Sequence, residues 1–164
     1  MKFTYCPHCG TKAGLREIGD EGFMPFCEKC DIPLFDVTAP CIIALAVNEF
    51  GEAALLRQDY VTTTSYVCVA GHIKTGENAE ETALREIEEE LGITPEKVEY
   101  IRSYYYEKRD MLMLGFLAHV KKKEFELSGE VDSAAWFPLA EAAEQVREGS
   151  IAWRLVKECQ ERVV

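Results

Sequence analysis

The chain has 164 residues, a length that suits one full domain with a small additional module and is too short for two ordinary domains. Nearly half of its residues are hydrophobic (48%), so a core can form, and its formal net charge of −11 argues against a DNA-binding or membrane-binding face, which would need a basic surface. The first residues lack the pattern of an export signal and the longest apolar run is too short to span a membrane, so we expect a soluble, cytoplasmic protein.

Seven cysteines in such a chain point to reduced thiols and metal binding. Four of them form two Cys-x2-Cys pairs: Cys6, Cys9, Cys27 and Cys30. Two such pairs complete the four-thiolate shell of a structural Zn²⁺ ion, and segments 13–18 and 22–26 between them read as a short hairpin. We therefore predict a zinc ribbon over residues 1–34. A redox dithiol would need only one pair, and His8 is not expected to be a ligand because four thiolates already fill the shell.

A larger domain of residues 35–164 is predicted beyond the ribbon, with residues 32–39 as the linker. Three apolar strands follow the linker, at residues 41–47, 53–57 and 65–70. The first of them is almost continuously apolar, as a strand buried on both faces should be. The remaining cysteines, Cys41, Cys68 and Cys159, read as small core residues.

A helix with an acidic and an apolar side is predicted after Gly71. Asn78 and Glu81 have the spacing of a capping box, which favours a helix start at this point. Gly92 stands where a glycine commonly ends a helix. The apolar stripe has helical spacing and consists of Ala83, Leu84, Ile87 and Leu91.

Three carboxylates share the acidic side of this helix. Glu86, Glu89 and Glu90 are related by i, i+3 and i+4, so their side chains can reach a common point. Hard divalent cations such as Mg²⁺ relieve the repulsion among such groups because they prefer oxygen ligands. Arg85 could brace one carboxylate or reach back to Glu77, which would tie the preceding loop to the helix. The alternative is a solvated acidic face without a ligand, which is the usual state of glutamate-rich helices.

The rest of the chain is predicted to form three strands and two helices, at residues 97–107, 111–121, 133–137, 139–148 and 151–162. Strands interrupted by a helix, with further helices at the end, are typical of a mixed sheet between helices. The fold class is therefore α/β.

Residues 71–93 follow the pattern Gly-x5-Glu-x7-Arg-Glu-Ile-x-Glu-Glu-x-Gly-Ile, which is identical to the signature of the Nudix hydrolases. With ordinary residue frequencies, a chance match is on the order of one in a billion per starting position. The chain thus resembles that superfamily. The resemblance implies an α/β/α sandwich, a requirement for Mg²⁺ or Mn²⁺, and hydrolysis of a nucleoside diphosphate linked to another group.

A zinc ribbon directly ahead of a Nudix domain is similar to the NADH pyrophosphatase family, whose members cleave the diphosphate of NAD(H). Segments 39–43 and 112–116 also resemble the corresponding strands of that family. The chain departs from two family motifs. It has Ser103-Tyr104-Tyr105-Tyr106 where the family has Ser-Gln-Pro-Trp, and Phe35-Asp36-Val37 where the family has Tyr-Pro-Arg.

The resemblance also implies roles for individual residues. The catalytic Mg²⁺ or Mn²⁺ ions would be bound by the Ala70 carbonyl, Glu86, Glu90 and Glu130. Glu89 would orient or deprotonate the attacking water, although the position of this base varies within the superfamily, and Arg85 completes the catalytic set. The loop would be shaped by Gly71, Glu77 and Gly92. Apart from the resemblance, we expect Phe35, Ser103, Tyr104 and Tyr105 to contact the substrate, because the rings of Phe35, Tyr104, Tyr105 and Tyr106 could supply a face on which a purine stacks. The alternative is that neighbouring tyrosines of this strand simply fill core and surface positions.

The expected partner is a small nucleotide substrate, with no DNA and no membrane, and related enzymes are commonly homodimers. Two alternatives to an NAD(H) pyrophosphatase stay open. One is a Nudix hydrolase for ADP-ribose, a nucleotide sugar or a capped RNA. The other is a module that senses a nucleotide without cleaving it, although such a module would not need the full set of acidic residues.

Overall fold

The computed structural model describes residues 3–163, and the chain divides into two units between Thr38 and Ala39. The first unit is an antiparallel sheet of three strands, β1 (Gly14–Glu17), β2 (Phe23–Cys27) and β3 (Ile32–Pro33), with a 3-10 turn at Gly19–Glu21. The predicted hairpin is confirmed. The predicted linker is wrong at its start, because β3 pairs with β2 and so belongs to this sheet. The assignment of residues 1–34 and 35–164 to functional domains stays a prediction.

The second unit is built on one mixed sheet. Its strands are β4 (Ala39–Asn48), β5 (Glu52–Gln58), β6 (Thr62–Val67), β7 (Val69–His72), β8 (Lys97–Tyr106), β9 (Met111–Val120) and β10 (Ser133–Pro138). The main path runs β10-β5-β4-β9-β8, with β6 paired to β5 and β7 paired to β4. β4 and β9 are parallel over their whole lengths, and the other pairs are antiparallel.

Helices cover both faces of this sheet: α1 (Ala79–Leu91), α2 (Ala142–Gln145) and α3 (Ile151–Val163). Alternate residues of β4 enter two different cores, as side chains of a strand must. One core joins Cys41, Ile43 and Leu45 to Leu155, Val156 and Cys159 of α3. The other joins Ile42, Ala44 and Ala46 to Ala83, Ile87 and Leu91 of α1. The predicted α/β/α sandwich is confirmed. Across residues 3–163 no helix is both long enough and apolar enough to pass through a bilayer.

Two predicted elements differ from the structure. The strand predicted at 65–70 is divided at Cys68, because β6 pairs with β5 whereas β7 crosses to pair with β4. The helix predicted at 139–148 is reduced to Ala142–Gln145. It stops there because Val146 adopts an extended conformation and forms an isolated parallel bridge with Tyr66.

Candidate active site

Local hydrogen bonds set the two ends of α1. The Asn78 side chain accepts from the backbone N–H of Glu81 at 2.8 Å, and the Glu81 carboxylate accepts from the backbone N–H of Asn78 at 3.1 Å. At the other end, Gly92 has a left-handed conformation and donates its N–H to the carbonyl of Glu88. Ala83, Ile87 and Leu91 of the predicted apolar stripe are buried, whereas Leu84 is only partly buried. Packing of the three buried residues determines which way the acidic side faces.

Arg85 is the cation that organises the acidic side. Its Nε and Nη2 donate to both carboxylate oxygens of Glu77 at 2.7 and 2.9 Å, which confirms the predicted contact between loop and helix. Its Nη1 donates to Glu86 at 2.7 Å and to Glu89 at 2.9 Å, and its Nη2 also reaches the carbonyl of His72 at 3.3 Å. The bond from Arg85 is the main reason that the pKa of Glu77 is lowered to about 2.

Gly71 lies against the carboxyl group of Glu86. A Cβ atom at this position would be 2.0 Å from Glu86 Cδ, so any larger residue would displace that side chain. Ala70, which precedes Gly71 in β7, is paired with Ile43 of the central strand. The sheet therefore holds the backbone of Ala70 and Gly71 beside the acidic helix.

Glu90 is buried although its side chain is acidic. It is only 4% exposed, its Oε1 accepts from Gln58 Nε2 at 3.1 Å, and its Oε2 is buried without a hydrogen-bond partner among the described residues. Burial raises the pKa of Glu90 to about 8, and the charges of Glu86 and Glu130 add to this effect. An unpartnered buried carboxylate oxygen beside other carboxylates is what a site for a hard divalent cation requires.

A cleft of about 390 Å³ brings the carboxylates together, and it is lined by Glu86, Glu89, Glu90, Ser128, Gly129 and Glu130. Glu130 comes from a loop distant in sequence. This loop is anchored by two hydrogen bonds of Asp132, whose N–H donates to the carbonyl of Arg57 at 2.9 Å and whose Oδ2 accepts from the N–H of Asp59 at 2.7 Å. The predicted metal ligands Glu86, Glu90 and Glu130 thus face one space. A more open depression of about 540 Å³ beside Phe125 and Trp136 contains none of the predicted site residues.

The predicted substrate-binding residues lie in different environments. Ser103 and Tyr105 are exposed, and the Tyr105 hydroxyl donates to Asp110. Phe35 is half exposed within the first unit. Tyr104, in contrast, is 6% exposed in the core on the α3 side, where its ring packs against Gly115. The expectation for Tyr104 is corrected, because a ring buried in this way has no free face for a purine.

Two residues beside the carboxylates were not singled out from the sequence. Gln58 ends β5 and is 4% exposed. The signal that could have identified it is its spacing, because it continues the face of Ala54 and Leu56 with a polar side chain. Tyr60 lies at the exposed turn between β5 and β6. Its pKa is raised by desolvation and by the charges of Glu90 and Glu130, although the residue is 69% exposed. No sequence signal distinguishes Tyr60 from an ordinary turn residue.

The four paired cysteines form a separate cluster in the first unit. Their sulfur atoms all lie within 4.8 Å of one another, so together they could hold one metal ion: Cys6, Cys9, Cys27 and Cys30. The backbone N–H of Cys30 donates to Cys27 Sγ at 3.4 Å, which stabilises the turn of the second pair. The cluster is half-buried, with Cys6 and Cys27 inside.

Comparison with known proteins gives matches over most of the chain. The family model for the NUDIX domain matches residues 37–158. The NAD-capped RNA hydrolase NudC of Photobacterium profundum is 30% identical over 156 residues, covering 94% of this chain and 57% of that protein. The human NAD-capped RNA hydrolase NUDT12 is 27% identical over 158 residues, covering 90% of this chain and 34% of that protein. The chain therefore spans about half, or less, of the length of these curated relatives.

Solved structures have the same fold. The crystal structure of a NUDIX hydrolase from Nitrosomonas europaea has a TM-score of 0.70 at 20% identity, and covers 97% of this chain and 93% of that one. The NUDIX domain of Shewanella oneidensis NrtR, solved in complex with ADP ribose, has a TM-score of 0.68 at 16% identity, with 85% and 94% covered. At these identities the likeness concerns the fold alone.

Proposed function

Because the chain belongs to the NUDIX domain family, we propose that it is a hydrolase, dependent on Mg²⁺ or Mn²⁺, that cleaves the diphosphate of an NAD(H)-type dinucleotide. The observation that carries this proposal is the cleft in which Glu86, Glu90 and Glu130 meet and in which Oε2 of Glu90 lacks a partner. Groups placed in this way suit a divalent cation that in turn bridges phosphates.

The chain's own residues would share the work as follows. Glu86, Glu90, Glu130 and the carbonyl of Ala70 would hold the ions. Bound ions would neutralise charge on the diphosphate and lower the pKa of bound water. Glu89 is the candidate for orienting or deprotonating that water, since it lines the cleft with a half-exposed side chain while Arg85 fixes one of its oxygens. Arg85 and Glu77 would keep the loop and the helix together.

The NAD(H) part of the proposal is supported by the relatives named for hydrolysis of NAD-capped RNA. These names also favour a second candidate substrate, an RNA that carries NAD at its 5′ end. Phe35, Ser103 and Tyr105 remain the proposed substrate contacts, and two aromatic rings among them could stack on a base. A homodimer also remains a prediction, which the molar mass in solution would test.

We further propose that the cysteine cluster holds structural Zn²⁺. Four thiolates close a tetrahedral shell and leave no open position for a substrate, so this ion would stabilise the first unit without taking part in hydrolysis. A metal analysis of the purified chain is expected to find Zn²⁺ and to lose it in a Cys27→Ser variant.

The test of the reaction is a screen for hydrolysis, with Mg²⁺ and with Mn²⁺, across NADH, NAD⁺, ADP-ribose, nucleotide sugars and NAD-capped RNA. Glu89→Gln and Glu90→Gln are expected to lower turnover by roughly 10²- to 10⁴-fold without loss of fold, because they remove the candidate base and a metal ligand. Glu80→Gln is the matched control, since Glu80 is exposed on the first turn of the same helix. Near-wild-type turnover in both site variants would refute the mechanism. Nucleotide binding without metal or turnover would favour the sensing module instead.

A further inference from the structure

Gln58 is a buried polar residue at the end of β5, beyond the apolar run at 53–56. Its backbone is fixed by the turn between β5 and β6, because its carbonyl accepts from the N–H of Val61 at 2.8 Å and its Cα pairs with Thr62. Gln58 follows Ala54 and Leu56 at intervals of two residues along β5, and those two residues belong to the core on the α1 side. The amide of Gln58 is thereby held at the acidic helix instead of in the apolar core.

The hydrogen bond from Gln58 makes the two oxygens of Glu90 unequal. Oε1 accepts from Gln58 Nε2 at 3.1 Å, whereas Oε2 is buried with no partner within residues 3–163. Both side chains are at most 5% exposed, so water does not compete strongly for this bond. The carboxylate is therefore held in one orientation, with one oxygen engaged and the other left for a ligand.

The chemistry of the donor also matters. Glu86 and Glu89 are each contacted by the charged guanidinium of Arg85, but Glu90 is contacted by a neutral amide. A neutral amide orients a carboxylate without cancelling its negative charge. Gln58 thus orients Glu90 without placing a positive charge beside it that would compete with a cation.

We propose that Gln58 is a positioning residue of the catalytic metal site: its amide holds one oxygen of Glu90 so that the other is presented to the divalent cation. This inference rests on the proposed metal-dependent function. Groups that orient metal ligands in this way commonly change metal affinity or activity by roughly 10- to 100-fold when they are removed.

The test is a titration of the full chain with Mn²⁺ in the absence of nucleotide. The electron paramagnetic resonance signal of free Mn²⁺ measures how much of the ion is bound. Gln58→Met keeps the length of the side chain and removes its N–H donor, and it is expected to weaken Mn²⁺ binding by roughly 10- to 100-fold. Gln160→Met is the matched control. It removes an amide that donates to the carbonyls of Leu139 and Ala140 at 2.7 and 3.0 Å, far from the acidic helix in sequence. This variant is expected to lose thermal stability and to bind Mn²⁺ like the wild type.

Wild-type Mn²⁺ affinity in a folded Gln58→Met variant would overturn the inference. If that variant does not fold, Gln58→Asn replaces it, since a shorter amide cannot reach Glu90 and should weaken binding in the same direction. Hydrolysis is scored separately. A wild-type chain that binds Mn²⁺ but cleaves no nucleotide refutes the proposed function alone, and one that cleaves while Gln58→Met binds Mn²⁺ normally refutes this inference alone. A wild-type chain that binds no Mn²⁺ refutes both.

Discussion

At the scale of single residues, the burial of Glu90 is the most costly feature of the site. Removal from water makes the charged form of a carboxylate less favourable, and the negative charges of neighbouring carboxylates add to this free-energy cost. The fold tolerates this because Ile87 and Leu91, on the same helix, are fully buried and their packing holds the helix in place. Stability is thus given up at one residue of the proposed cation site.

The raised pKa of Glu90 makes a prediction about stability and pH in the metal-free protein. Between the ordinary pKa of a glutamate and about 8, the folded state keeps a proton that the unfolded state releases. This group therefore lowers the free energy of unfolding as pH rises through that window. Glu90→Gln should raise the melting temperature at pH 8 and have little effect near pH 5, with a gain on the order of a few kcal/mol. Thermal melts with a chelator would check this, and an equal gain at both pH values would contradict it.

A second prediction concerns Gly71. Gly71→Ala should push aside the carboxyl group of Glu86, because the new Cβ would lie 2.0 Å from Cδ. We expect hydrolysis to fall by about 10-fold or more while the melting temperature changes little, since the displaced group is the end of a side chain. Gly14→Ala is the control, with its nearest neighbour, the Phe26 carbonyl, at 3.9 Å. Unchanged hydrolysis in Gly71→Ala would show that Glu86 needs no fixed position.

At the scale of elements, what could be predicted from the sequence depends on how local the cause is. The caps and the apolar stripe of α1 are local, so its limits were predicted from Asn78 and Gly92. The position of Tyr104 depends on a register shift in β8 between Tyr100 and Arg102. In a regular strand, residues three apart point to opposite faces of the sheet. Ile101 and Tyr104 nevertheless belong to the same core, because the register shift moves the residues after it to the other face.

The same limit applies to the site. The carboxylates of α1 could be predicted because helical spacing alone brings them together. Glu130 was inferred only from the resemblance to a family, since a loop distant in sequence reaches the cleft through pairing of strands. Gln58 and Tyr60 were missed for this reason. The spacing along β5 could mark Gln58 as a buried polar residue, but its contact with Glu90 joins residues 32 apart in sequence. Tyr60 lies in the turn after β5, which no local pattern connects with the acidic helix.

The capping box of α1 gives a prediction at the same scale. Asn78→Ala removes the acceptor for the N–H of Glu81 and should cost about 1 kcal/mol, which is roughly 2–4 °C in melting temperature for a chain of this size. Asn78→Asp keeps an acceptor and should melt close to the wild type. A melting temperature of Asn78→Ala equal to that of the wild type would show that packing alone holds the start of the helix.

At the scale of the whole molecule, the two units differ in what stabilises them. The second unit has two large apolar cores, one on each side of its sheet. Among the described residues, the buried hydrophobic side chains of the first unit are those of Cys6, Phe26, Cys27 and Leu34. So few buried side chains cannot offset the conformational entropy of some thirty residues, and a bound metal would supply the missing stabilisation.

Removal of that metal should therefore affect one unit only. With a strong chelator, we expect protease cleavage between residues 6 and 30, while residues 39–163 stay resistant. Mass spectrometry of the fragments would check this. Resistance throughout would show that the first unit folds without metal, and loss of the whole chain would show that the units unfold together.

The alternation of side chains along β4 has a consequence for how this protein can change. The even-numbered residues of β4 pack against the acidic helix α1. Its odd-numbered residues pack against α3, which carries none of the metal-binding candidates. Substitutions in the core on the α3 side, whether natural or designed, could therefore raise the melting temperature without altering the candidate active site. The opposite side has less freedom, because its residues pack directly against the helix that carries Glu86, Glu89 and Glu90.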